Sequence, residues 1–266
     1  PVCGSGDIYQ EEDVLDTWFS SWLWPFAALY WPRDNEDLKY FYPTDILVTA
    51  SEILFFWVAR MIMAGLEFTG KIPFHTVLIH GTVRDDKGIK MSKSLGNIID
   101  PLKVIDKFGA DALRFSLMML ASTGSDVYLS DEKFLVGRNF ANKIWNASRF
   151  IIGKIDILGL KIENLNIDEL DGADYWVIDK LNDTISEVTD YLDNYRINDA
   201  VKKTYEFFWH IFCDWYIEIV KNDFTQNKAK ILLLCLVSSL KLIHPVMPFI
   251  TEEIFQMLNE KFLLLK

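Results

Sequence analysis

Cysteine, basic charge and long apolar runs are all scarce in this chain. Three cysteines, Cys3, Cys213 and Cys235, are scattered over 266 residues. They are too few and too dispersed for a disulfide framework, so a reducing, cytoplasmic setting is expected. Lys and Arg number 27 against 38 Asp and Glu, a formal charge of −11. That excludes a protein that coats nucleic acid non-specifically, but it leaves room for a local basic face. The two main apolar stretches, 53–66 and 231–250, are broken by Arg60 and by Lys241, His244, Pro245 and Pro248. Both fall short of the ~20 uninterrupted apolar residues of a membrane span, so they read as buried helices and no membrane partner is expected. There is no internal repeat, no low-complexity tract and no G-x-x-x-x-G-K-S/T phosphate loop. No secretory or transit segment opens the chain, whose start at Pro1-Val2-Cys3-Gly4 reads as a piece of a longer protein. Cys3-Gly4 fits the second half of a C-x-x-C zinc knuckle, yet no partner cysteine is near, so no metal site is assigned.

Apolar residues, by contrast, make up 50% and aromatics 14%, enough for one large domain or two ordinary ones with real cores. The stretch that stands out is Lys90-Met91-Ser92-Lys93-Ser94-Leu95-Gly96-Asn97. Two lysines three apart, among small hydroxyl residues and followed by glycine, make a cationic loop that can close over a polyphosphate and withdraw. Before it, Val77 to Arg84 reads as a buried β run, and Asp85-Asp86-Lys87-Gly88 supplies the turn chemistry of a tight hairpin. After it, Asp100-Pro101 provides an N-cap and a first-turn proline for a helix. Taken as a bare K-x-x-K, the pair would be an ordinary solvated loop; the full string carries more weight.

Upstream, Trp18, Trp22 and Trp24 crowd a short segment. Core packing explains most such residues, and a tryptophan wall also shapes pockets for small apolar ligands. Tyr42 to Thr49 reads as a strand, and Ser51 to about Phe68 as a helix apolar around much of its circumference. Glu52 therefore sits where a strand's C-terminal end meets a helix N-terminus, the ligand end of open α/β sheets. It accepts a ribose there, or it simply complements the helix dipole. Helices are expected over 101–107 and about 110–121, so the first half alternates strand and helix. Beyond Ser122 the strand signal ends. Helices are expected at 131–152, 174–195, 198–222 and 228–242, with Thr251 capping a last one over 252–262, which makes an antiparallel bundle. From Glu163 to Asp199 eleven acids face only Lys180 and Arg196, which reads as a solvated face. Lys133, Arg138, Lys143 and Arg149 are the better basic candidate.

The lysine string resembles the second signature of class I aminoacyl-tRNA synthetases. Further strings in the same order resemble the valyl branch of that family: Asp13-Val14-Leu15-Asp16-Thr17-Trp18-Phe19-Ser20-Ser21, Ile53 to Met61, Arg138 to Ala147, Phe212 to Glu218 and His244 to Ile254. The resemblance implies an α/β plus all-α chain, with a partial Rossmann-like parallel sheet followed by an antiparallel helical bundle. Residues 1–121 would be the second half of the catalytic domain and 122–266 the anticodon-binding domain. It implies activation of valine with ATP and Mg2+ and transfer to tRNA(Val), by a monomer. Lys93 becomes the principal ATP contact and Lys90 its helper, with Ser92 and Ser94 shaping the loop. His80, Gly81 and Glu52 are further ATP contacts, Trp18 and Trp57 line the valine pocket, and Arg138, Lys143 and Arg149 meet tRNA. One place departs from the family: Ala50-Ser51-Glu52 stands where G-x-D is usual. The His-Ile-Gly-His signature and an editing domain are absent from these residues, so this stretch alone is expected to be inactive. Isoleucine in place of valine, or a non-catalytic tRNA-binding paralogue, are the alternative readings.

Overall fold

The structure is a computed structural model, and it describes residues 4, 6–85, 87–92, 95–122, 124–158 and 169–262. The chain divides into two compact units, Pro1–His80 and Gly81–Lys266.

In the first unit, α1 (Thr17–Ser21), α2 (Trp24–Ala27) and α3 (Glu36–Phe41) precede strand β1 (Thr44–Ala50). Asp16 caps α1 by accepting from the Trp18 amide, and Asn35 caps α3 by accepting from Leu38. Strand β1 runs parallel to β2 (Phe74–His80), with Thr44 opposite Phe74 and Ala50 opposite His80. Parallel strands need a crossover. Here it is a 3-10 turn (Ser51–Ile53), a π-helical turn (Leu54–Val58) and α4 (Ala59–Thr69). A single helix from Ser51 was expected. Ile53, with φ −109° and ψ 12°, leaves the helical region and divides the start from the rest. Gly70, at φ 70°, ends α4 in the left-handed conformation that favours glycine. Val58, Met61 and Phe74 are buried in one apolar cluster of this unit, and Phe26, Tyr42 and Ala64 in another.

The second unit opens with β3 (Val83–Arg84), parallel to β4 (Val127–Tyr128). The expected run from Val77 to Arg84 is thus two strands in two sheets, separated at Gly81–Thr82. Gly81 packs so closely on the Ser125 backbone that a Cβ would lie 1.7 Å from its carbonyl oxygen. Only glycine fits there. Then come α5 (Pro101–Phe108), α6 (Ala110–Leu120), α7 (Asp131–Leu158), α8 (Gly172–Asp193) and α9 (Ile197–Glu206). A π-helical stretch (Phe207–Tyr216) continues α9 into α10 (Ile217–Val220), before α11 (Gln226–Ile243) and α12 (Pro248–Phe262). Phe115, Phe140, Phe208, Phe212, Leu232 and Leu236 are buried in one continuous core. Among the described residues no helix is long and apolar enough to cross a membrane. Compactness divides the chain earlier than the end of the strand signal near Ser122, because α5 and α6 pack on α7.

Thr251 is not the cap it was expected to be. Helix α12 already begins at Pro248, and the Thr251 hydroxyl sits inside it, donating to the Met247 carbonyl at 2.8 Å. The cap comes from elsewhere in the chain. The Asp111 carboxylate of α6 accepts from the Ile250 amide at 2.7 Å and from Phe249 at 3.3 Å. Near the α8 start, the Tyr216 hydroxyl donates to buried Asp174 at 2.6 Å, while Asp171 and Asp174 form a capping box.

The α6–α7 contact is close at Gly137, where a Cβ would lie 2.4 Å from the Ala112 carbonyl oxygen and 2.8 Å from its Cα. Helix propensity alone favours alanine over glycine by about 1 kcal/mol. The backbone cannot yield as a side chain would, so Gly137→Ala is expected to lower unfolding free energy by about 1–3 kcal/mol. Chemical denaturation checks this; an equal or raised midpoint would contradict it.

Candidate functional site

The lysine loop grows out of a hairpin, as the turn residues imply. Arg84 and Lys90 form an antiparallel bridge, and the Asp85 amide donates to Ile89 O at 3.0 Å. Gly88 takes φ 80°, and its amide donates to Asp85 O at 3.1 Å. The Asp85 side chain then does three things. Its Oδ1 accepts from the Lys87 amide at 3.0 Å and from Ile89 at 2.8 Å. Its Oδ2 accepts from Asn97 Nδ2 at 2.9 Å, and Asn97 Oδ1 accepts from the Ser92 amide at 3.0 Å. On the other side, Asp126 holds Arg84 Nε at 2.5 Å and the Thr82 amide at 3.0 Å. Lys90 is exposed on this frame and Ser92 is half-buried within it. Lys93 and Ser94 lie outside the described residues, as does Cys3.

Charge on this frame is stabilised. The Asn97 amide, with the Ile89 and Lys87 backbone amides, holds the Asp85 carboxyl below the usual carboxylate range. The Arg84 guanidinium beside Asp126 does the same, helped by the Thr82 amide and by the charges of Arg84 and Lys90.

In the first unit, Trp18 and Trp57 come together. They line a pocket of about 450 Å³ with Ser21, Trp24 and Ile53. Trp57 Nε1 donates to Ser21 O at 3.1 Å, and Trp18 stacks on Phe56 at 6.1 Å between centroids. These contacts hold both indoles in place beside the pocket. Asp16 lies 3.8 Å from Arg60, tying the cap of α1 to α4. At the C-terminal end of β1, Glu52 is exposed, while the Thr49 hydroxyl is buried with no partner among the described residues. Ala50 takes φ −86° and ψ 152°, ordinary extended backbone. Nothing in that geometry requires glycine, so the departure at this position carries no strain.

The three basic candidates separate. Arg138 and Arg149 are exposed and, roughly three turns apart on α7, share one face. Arg138 also stacks over Phe108 at 5.8 Å. Lys143 points elsewhere: it pairs with Asp214 at 2.8 Å and lies over Trp209 at 5.1 Å. Asp214, although burial opposes its charge, is held below the usual range by that lysine.

Comparison with known families decides the kinship. Residues 2–130 match the family model "tRNA synthetases class I (I, L, M and V)", and residues 174–266 match "Anticodon-binding domain of tRNA ligase". This chain belongs to the class I tRNA synthetase family. Among curated relatives of the family it is 49% identical over 264 residues to the valine–tRNA ligase of Treponema pallidum, covering 97% of this chain and 27% of the relative. It is 52% identical over 266 residues to that of Clostridium tetani, covering 97% and 30%. The Thermotoga maritima enzyme is 52% identical over 261 residues, covering 96% and 30%. The chain therefore spans less than a third of these relatives. Two class I synthetase structures share its fold. LeuRS of Agrobacterium radiobacter K84, in a ternary complex with tRNA and LeuAMS, gives TM-score 0.77 at 21% identity over 97% of this chain and 33% of that one. Mycobacterium tuberculosis methionyl-tRNA synthetase with methionyl-adenylate gives 0.72 at 22% identity over 86% and 47%. The expected partial Rossmann-like sheet and helical bundle is the synthetase fold.

Asp85, Asn97 and Trp24 read from sequence only as turn, loop and aromatic-cluster residues, and that reading assigns neither them nor Ile53 to a site. Asp before a turn and Asn closing the string are local hydrogen-bonding signatures that would have flagged the first two. The frame yields a titration test. Asp85 and Asp126 should show carboxyl 13C midpoints below the ~3.9 of an unperturbed Asp. Their stabilisation of the hairpin is complete above that value and is lost as pH falls through the lower folded midpoints. A midpoint at or above ~3.9 in either would contradict the assigned bonds.

Proposed function

We propose that this chain is part of a valine–tRNA ligase, which activates valine with ATP to valyl-adenylate and pyrophosphate and then charges tRNA(Val). The observation that carries the reading is about half identity to valine–tRNA ligases across nearly the whole chain. In this reading residues 1–121 are the second half of the catalytic domain and 122–266 the anticodon-binding domain. Among the described residues the free thiols of Cys213 and Cys235 are buried and support a cytoplasmic setting. Burial pushes the Cys213 thiol up to about 12, so it stays protonated and unreactive.

The chemistry assigned to the site follows from where charge develops. The valine carboxylate attacks the α-phosphorus, and negative charge grows on the phosphate oxygens and the departing pyrophosphate. Ammonium groups held near those oxygens stabilise the transition state more than the ground state, which raises kcat. Lys93 has that role and Lys90 assists, with Ser92 and Ser94 shaping the loop. His80, Gly81 and Glu52 complete the nucleotide contacts. Among the described residues no three His, Cys, Asp or Glu side chains gather as a metal site. Magnesium would accompany the ATP phosphates, as is usual for this ion, and help neutralise their charge. Trp18 and Trp57 bound the valine side chain, and Arg138 and Arg149, on one exposed face, meet tRNA. Lys143, already paired with Asp214, contributes less.

The test is ATP–pyrophosphate exchange in the full-length protein. Valine should support it well above isoleucine, and Lys93→Ala should lower kcat by about 10²–10³-fold, the loss seen when one transition-state donor is removed. An unchanged kcat would end the assignment of Lys93. Preference for isoleucine would move the chain within the family, and exchange indifferent to valine would favour a non-catalytic paralogue.

A further inference from the structure

The lysine loop has its own fastening, and nothing in the chemistry just described uses it. Asn97, the residue that closes the loop, reaches back across it. Its Oδ1 accepts from the Ser92 amide at 3.0 Å, and its Nδ2 donates to Asp85 Oδ2 at 2.9 Å and more weakly to the Lys90 carbonyl at 3.4 Å. The orientation of that amide is fixed from both ends. A backbone N–H can only donate, so it faces the oxygen; a carboxylate only accepts, so it faces the nitrogen. Asp85 is itself anchored, spending Oδ1 on the Lys87 and Ile89 amides of the hairpin. Behind the hairpin, Arg84 donates from Nη1 to Gly88 O at 3.2 Å and pairs with Asp126. One asparagine thus ties the loop's entry, its exit and the rigid turn together.

Resting on the ligase reading, we propose that Asn97 and Asp85 are positioning residues for the activation step, a polar clasp that sets the span of the lysine loop without touching ATP. The geometry explains why two short polar side chains suffice. The clasp fixes Ser92 and Asn97, the described residues on either side of Lys93, against the hairpin. A cation that must meet an oxygen in the transition state loses much of its effect when misplaced by about 1 Å. Amide-to-carboxylate bonds are also directional and charge-assisted, which suits a register device better than an apolar contact would.

The clasp has a polarity that can be reversed. Asn97→Asp sets two carboxylates face to face. Asp85→Asn faces one amide with another. The double variant Asp85→Asn/Asn97→Asp restores one donor and one acceptor: Asn Nδ2 at 85 to Asp at 97, which still accepts from Ser92. In the full-length protein, Asn97→Asp should lower kcat for valine-dependent ATP–pyrophosphate exchange by about 10–100-fold. Transfer of valine from preformed valyl-adenylate to tRNA should stay within about twofold, since the clasp serves activation alone, and the melting temperature should not move. The double variant should recover most of the loss. Amide hydrogen exchange at Ser92 should quicken about tenfold in Asn97→Asp and slow again in the double variant. Parent-like exchange kinetics in Asn97→Asp, or a double variant no better than Asn97→Asp, would overturn the clasp's role. So would equal losses in activation and transfer. If the parent itself shows no valine-dependent exchange, the ligase reading fails and the role in activation falls with it. Ser92 protection then still reads the bonds themselves, and protection unchanged in Asn97→Asp would remove the clasp as well.

Discussion

The second unit depends on a carboxylate that caps a helix far from it in sequence. Helix α12 opens with Pro248, and its first turn contains no acidic residue. Asp111 supplies the acceptor for the Phe249 and Ile250 amides, and it is itself buried at 8% exposure. Left without it, those part-buried first-turn amides would lose their acceptor, a cap worth about 0.5–2 kcal/mol. The same helix α6 makes two further ties. Arg114 donates to the Pro245 and Val246 carbonyls at 2.9 and 3.0 Å, and Asn198 donates to the Met118 carbonyl at 3.1 Å and to Met119. A helix from the class I segment is thereby hydrogen-bonded into the bundle that carries the anticodon-binding signature. Compactness and family ancestry divide this chain at different places for that reason.

Electrostatics in the unit follow a similar economy. Several cations are committed to partners: Lys203 to Glu187, Lys143 to Asp214 and Lys228 to both Asp171 and Asp223. Exposed pairs contribute about 0–1 kcal/mol each. Lys228 differs, because its side chain is only 9% exposed. Its bond to Asp223, ahead of that to Asp171, holds its pKa above the ordinary lysine value against the pull of burial. Removing one partner of so buried a charge is the expensive case. In so acidic a chain, exposed cations on a shared face with no carboxylate partner among the described residues stand out, which is how Arg138 and Arg149 separate from Lys143.

Much of the candidate site was legible from the residues. The hairpin ahead of the lysine loop, the Asp100 cap with Pro101, the strand expected over Tyr42 to Thr49 and the break between the helices of 101–107 and 110–121 all rest on short-range chemistry. A turn, a cap or a left-handed glycine is decided by neighbours a few positions away, so sequence carries it. The family resemblance put Trp18 and Trp57 in one pocket, whereas residue spacing alone could not pair them, since their approach requires α1 to pack on the π-turn. The Thr251 cap failed for a related reason. A Thr before two glutamates has the right local pattern, and a distant aspartate displaced it.

By itself, then, the sequence determined the element types, the cationic loop with its turn, and the kinship carried by strings in a fixed order. Those depend on local hydrogen bonding, on hydrophobic period and on residue identity. Only the tertiary structure decided that the β run splits at Gly81, that Asp111 caps α12 and that Asn97 clasps Asp85. Each of these pairs groups whose meeting is set by packing, where burial makes an unpaired donor costly and leaves a single partner within reach.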